Sequence, residues 1–241
     1  MEHMTIMLKT GLTKEDDAMK NLRVVDLSKH IDPSNETRRC KLHRFNTGGP
    51  IPDFHTNMDL MSHLGTHVEC PYHHNNNWKD VTELPVTSFM GRCVYIEFSD
   101  LEPNSYIMPE DLERASKGRI GKDDIVILDS KHKLEPFTEK TNTEEDKRLF
   151  ICHDTAEWLR DKGVKCVGFG DGVSIENNNV DVCAFHDALM EKDVVFLEVL
   201  KNLDQLKKEV FFLTYLPLPI KGLDSSPVRV VAIEGLAGFE E

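Results

Sequence analysis

Between His63 and His74 the chain reads HLGTHVECPYHH, which places four histidines, a glutamate and a cysteine in twelve residues. Five of the eleven histidines in the chain, His55, His63, His67, His73 and His74, fall within twenty positions. Imidazole and carboxylate together suit Zn, Mn, Fe or Co; they match poorly the all-oxygen preference of Ca. His63, His67, Glu69 and His73 are all odd-numbered, so an extended chain would place them on one face. A straight strand would still hold His63 and His67 about 13 Å apart, whereas metal–ligand bonds are only about 2.1 Å long. The chain must therefore fold back between them. Gly65 permits that conformation, and Pro71 fixes φ near the far end. Cys70 and His74 alternate out of phase with this face. Cys70 is expected in the core or behind the ligands, and His74 toward solvent. His55 has no spacing argument and would at most line the site.

One loop rarely completes a catalytic centre, so a second contribution is expected from elsewhere. His186 in AFHDALM and Glu198 in VVFLEVLKNL are the candidates. The first is expected on a helix and the second at the end of the following strand, where α/β folds build their sites. Each also has an ordinary reading, as a helix-surface histidine and a strand-end glutamate.

The elements that must position these residues are short. Strands are expected over Arg23–Leu27, Cys93–Phe98, Asp124–Leu128, Val164–Phe169, Val194–Leu197, Val210–Tyr215 and Val228–Ile233, from their β-branched and aromatic content. Helices are expected over Pro109–Ser116, Thr143–Lys162 and Val182–Glu191. The second opens on an acidic turn, TEED, which suits the helix dipole, and stops at Gly163. Helix, strand, helix, strand is an α/β alternation. No linker rich in Pro, Gly or Ser interrupts it, so residues 22–241 are expected to form one domain. Residues 1–21 read as a polar leader or arm.

Composition excludes several classes. A net charge of −13 repels nucleic acid and anionic membrane surfaces, so neither is an expected partner. No stretch approaches ~18 uninterrupted apolar residues, and no membrane span is expected. Six cysteines without a C-x-x-C pair read as reduced thiols in the cytoplasm.

HLGTHVECPYH closely resembles the H-x-G-T-H-x-D-x-P-x-H signature of the metal-dependent cyclase/hydrolase family, which includes bacterial kynurenine formamidases and isatin hydrolases. RVVDLS, AEWLRDKGVKCVGFGDGVSIE, FHDALMEKDVVFLEVLKNLDQL and LPLPIKGLDSSPVRVVAIEG resemble further family segments in the same order. The resemblance implies a swivelling β/β/α fold, a mixed sheet or partial barrel flanked by helices. It implies one or two divalent ions, Zn or Mn, with His63, His67, Glu69, His186 and Glu198 as ligands and His73 as catalytic acid/base. It implies a homodimer or homotetramer acting on a small molecule, with Phe45 and Phe54 as candidates to complete a neighbouring pocket.

This chain departs from the family at Glu69, where aspartate is usual, and at Ser225-Ser226, where Gly-Ser is usual. Its GFGDGVS loop is one residue longer. The implied reaction is hydrolysis of a non-peptide C–N bond in an aryl formamide or cyclic amide, because a divalent ion lowers the pKa of water toward ~7 and polarises a carbonyl. The alternatives are a non-catalytic metal-binding protein and a metal-dependent ring-closing cyclase or dehydratase.

Overall fold

A computed structural model of the protein describes residues 22–176 and 180–239. The leader expected over residues 1–21 lies outside the described residues. The strands are β1 (Arg23–Asp26), β2 (Cys40–Asn46), β3 (Phe54–Leu60), β4 (His67–Glu69), β5 (Met90–Phe98), β6 (Ile125–Ser130), β7 (Cys166–Phe169), β8 (Val195–Glu198), β9 (Val210–Thr214), β10 (Ser225–Pro227) and β11 (Val231–Glu234). The helices are α1 (Pro109–Ser116), α2 (His153–Lys162) and α3 (Val180–Met190).

Nine strands form one mixed sheet, in the order β1-β11-β9-β5-β6-β7-β8-β4-β10. Strands β5 to β8 are parallel to one another, and the flanking strands are antiparallel. Parallel strands are covered on both faces, so they read as continuous apolar runs, and every residue of β6 to β8 is buried. Ile125, Ile127, Cys166, Val195 and Leu197 enter one core. Val126, Leu128, Val167, Phe169 and Phe196 enter the other, against Leu112, Leu159, Phe185 and Leu189 of the helices.

Only residues 228–230 join β10 to β11, yet the two strands lie near opposite ends of the sheet order. Seven strand steps would cover roughly 34 Å in a flat sheet, whereas the connection spans at most about 14 Å. The sheet is therefore curled into a half-barrel that brings its ends together. This agrees with the partial barrel expected from the sequence. The strand expected over Val228–Ile233 is shortened: β11 begins at Val231, and residues 228–230 cross between the sheet's ends, with the Val228 amide donating to the Thr66 carbonyl and the Val230 amide to Ser28 Oγ.

The helix expected over Thr143–Lys162 is also corrected, because α2 begins at His153. Side chains compete for the backbone upstream. Thr143 Oγ1 donates to the Lys140 carbonyl, and the Asp146 carboxylate accepts from the Asn142 and Arg148 amides. Arg148 is fully buried, with Asp146 at 2.7 Å and Glu176 at 2.8 Å. Removing one partner of such a buried group strands the others. Arg148→Met is expected to lower unfolding free energy by about 3–5 kcal/mol, read from urea denaturation; a change below ~1 kcal/mol would contradict the burial argument.

Strands β2 and β3 pair into a separate hairpin that was not foreseen in the sequence. Nearly all of it is exposed, including Leu42, Phe54 and Met58. No helix among the described residues is long and apolar enough to cross a membrane.

Candidate metal centre

The centre is built where β4 lies between β8 and β10. Antiparallel register sets His67 opposite Glu198, and Glu69 opposite Phe196 and Ser225. His67 and Glu69, two apart on β4, share a face. The pairing therefore delivers Glu198 from a distant part of the chain, with His67 Nε2 3.4 Å from its Oε2.

His63 reaches the same point because the chain does fold back. Gly65 adopts φ +60°, a conformation costly for a side-chain-bearing residue, and a Cβ there would lie 2.6 Å from the Ile31 side chain. His63 Nδ1 ends 3.3 Å from His67 Nε2 and 2.7 Å from Glu69 Oε1. His186 comes from α3, its Nε2 3.9 Å from Glu69 Oε2 and 3.8 Å from Glu198 Oε1. Its ring stacks on Phe196, with centroids 4.4 Å apart.

Each of the three imidazoles has one nitrogen tied down behind. His67 Nδ1 donates to the Gly65 carbonyl at 2.8 Å, and His186 Nδ1 to the Val182 carbonyl at 2.7 Å. His63 Nε2 meets Asp224 Oδ2 at 2.8 Å. The opposite nitrogens all face the two glutamates. Metal-binding histidines are held in this way, an outer acceptor fixing tautomer and ring angle.

The electrostatics fit a cation. Glu69 and Glu198 are buried, and among the described residues their ion-pair partners are all histidines. Burial alone would push both carboxyls up, but the histidines outweigh it and hold both below the usual range. Burial likewise disfavours charge on His63 and His67, yet Asp224 and Glu69 raise the first to about 9, and Glu198 and Glu69 raise the second to about 10. Two buried carboxylates that recruit protons onto imidazoles form a donor set suited to a divalent ion, whose binding displaces those protons.

His73 leaves the 3-10 turn Pro71–His73 and stands at the rim, 34% exposed. Its Nδ1 lies 3.3 Å from Asp224 Oδ2, and its Nε2 3.9 Å from Glu69 Oε1. Asp224 was missed in the sequence. It precedes β10, and only the pairing of β10 with β4 brings it beneath His63 and His73. Those two histidines outweigh burial and hold its carboxyl well below the usual range.

His74 corrects an expectation. It does not face solvent freely but stacks on His186 at 5.0 Å, with Nδ1 2.7 Å from Asp187. The 3-10 turn, which breaks the alternation of a strand, is the cause. Cys70 is buried in the core, with burial pushing its thiol up. His55 lies on the exposed hairpin beside Asp53, with Phe45 packed against it.

A cavity of about 660 Å³ opens over these groups, lined among others by Arg38, Met61, His74, Phe137, Ile175 and Glu176.

Residues 25–177 match the family model for cyclases, described as "Putative cyclase". The chain belongs to the cyclase family. Among cyclase relatives, the kynurenine formamidase of Bordetella petrii is 30% identical over 176 residues, 73% of this chain and 78% of that protein. The kynurenine formamidase of Bacillus cereus is 31% identical over 178 residues, covering 72% and 77%. Isatin hydrolase A from Ralstonia solanacearum superposes with a TM-score of 0.71 at 24% identity, covering 97% of this chain and 99% of its own. Isatin hydrolase A from Labrenzia aggregata gives 0.72 at 21%, covering 90% and 95%. These two solved structures share the fold described above.

Proposed function

We propose that this cyclase-family protein is a metal-dependent hydrolase that cleaves a non-peptide C–N bond in a small aryl formamide or cyclic amide. One observation carries the reading. Three imidazoles, each locked from behind, turn their remaining nitrogens onto two buried glutamates that have no Lys or Arg partner among the described residues. Relatives named kynurenine formamidase support the bond class.

In this reading His63, His67, Glu69, His186 and Glu198 hold the ion, Zn or Mn. Glu69 belongs to both donor groups that converge here, His67–Glu69–Glu198 and His63–Glu69–His73. Its longer side chain thus still places a carboxylate at the position that the two groups share. A divalent ion held by these residues would supply a Lewis acid for the scissile carbonyl and lower the pKa of water.

His73 performs the proton transfers. A carboxylate can only accept, so Asp224 fixes the proton on His73 Nδ1 and leaves Nε2 toward the centre. Nε2 takes a proton from the attacking water and returns it to the leaving nitrogen as the C–N bond breaks.

The exposed hairpin supports a homo-oligomer. An isolated two-strand ribbon is marginal in water, so Leu42, Phe54 and Met58 are covered by a second copy in this reading; light scattering giving a monomer would contradict it. Free thiols at all six cysteines support a reducing, cytoplasmic setting.

The test is reconstitution. Protein stripped with a chelator is given Mn²⁺ or Zn²⁺ and assayed on N-formyl anilines and lactams. Turnover that returns with the ion and consumes water supports hydrolysis. Bound metal without turnover identifies a binding protein, and water release identifies a cyclase or dehydratase.

A further inference from the structure

Arg38 lines the cavity over the metal centre and is half-buried. Its guanidinium lies over the Phe137 ring, 4.0 Å from the centroid, a favourable cation–π distance. One of its nitrogens donates to the carbonyl of His63. These contacts hold the fork in place directly beside a donor residue, and neither involves an anion.

The cavity's other charges are accounted for. Arg39 pairs with Asp59 at 2.5 Å, and Glu176 with Arg148 at 2.8 Å. Glu69 and Glu198 face histidines. Arg38 makes no ion pair with any described residue. A guanidinium carries five N–H donors in a planar fork that matches a carboxylate. A half-buried one has lost hydration that an anion would restore. The chain as a whole carries −13 and repels anions, so a local cation is what would admit one. Phe137 beneath the fork, with Met61 and Ile175 nearby in the wall, offers an apolar bed for a ring or short chain.

We propose that Arg38 sets substrate specificity by receiving a carboxylate carried on the substrate's arm, away from the scissile C–N bond. This rests on the hydrolase reading above. The substrate lies with its amide carbonyl at the metal centre, its apolar body along Phe137 and its carboxylate on the Arg38 fork.

Two measurements on the metal-loaded protein test the assignment. The first is binding, by calorimetry, of benzenesulfonate and of methyl phenyl sulfone, isosteres that differ in charge and are poor metal ligands. The wild type prefers the sulfonate, and Arg38→Gln reduces that preference by on the order of 10- to 100-fold, with Arg38→Lys retaining part of it. The second is kcat/KM for an N-formyl aryl amine bearing a side-chain carboxylate, relative to its methyl ester; Arg38→Gln drives that ratio toward one. A sulfonate that fails to bind the wild type, or an R38Q variant that weakens both probes equally, overturns the proposal. Absence of turnover on either formamide sinks the hydrolase reading instead, while the binding comparison still decides on Arg38.

Discussion

Glu198→Gln is expected to leave the fold intact and the metal centre crippled. The side chain keeps its volume, so β8 still packs, and the neutral amide still reaches His67 and His186. What disappears is one of the two buried negative charges that make the pocket receptive to a dication. Several kcal/mol of transition-state stabilisation depend on the ion, so kcat/KM for an N-formyl aryl amine should fall by on the order of 10³-fold or more. Metal content after dialysis should fall in parallel, and the metal-free variant should keep the wild-type circular dichroism while unfolding at a lower temperature, because the buried imidazoles lose a counter-charge. Full metal occupancy with full activity in E198Q would remove Glu198 from the ligand set.

His73→Ala separates proton transfer from metal binding. His73 stands at the rim, and the buried donors do not need it to close around an ion. The variant is therefore expected to retain metal and to lose about 10²- to 10⁴-fold in kcat. Full activity with full occupancy would end its role as acid/base. Loss of the metal would instead make it a ligand, which its place in the His63–Glu69–His73 donor group allows. Asp224→Asn should mimic part of the H73A loss, because an amide no longer demands the proton on His73 Nδ1.

The sequence made the local half of this centre legible, and topology supplied the rest. Spacing grouped His63, His67, Glu69 and His73, and bond lengths alone demanded a fold-back at Gly65; the backbone there does turn, at φ +60°. His186 and Glu198 were nameable, but their convergence depends on the antiparallel register that sets His67 against Glu198, and a register between distant strands leaves no mark in spacing. Asp224 was invisible for the same reason. His74 misled because period-two alternation was carried past Pro71 into a 3-10 turn.

The fold divides similarly. The buried parallel strands announced themselves as apolar runs, and β6 to β8 lie within two residues of expectation. The hairpin β2–β3 did not, since its residues are mostly polar and exposed. The acidic TEED turn looked like a helix start, but Asp146 spends its carboxylate on Arg148 and on two amides, and α2 waits until His153.

The most direct test of the account is an anomalous difference map from crystals of the Mn²⁺- or Zn²⁺-loaded protein, recorded at the edge of the ion. The account predicts a peak within about 2.2 Å of Glu69 and of nitrogens from His63, His67 or His186, with Glu198 completing the shell and His73 Nε2 free to face substrate. A fully active, metal-loaded crystal with its peak elsewhere, or with none at these side chains, would contradict it.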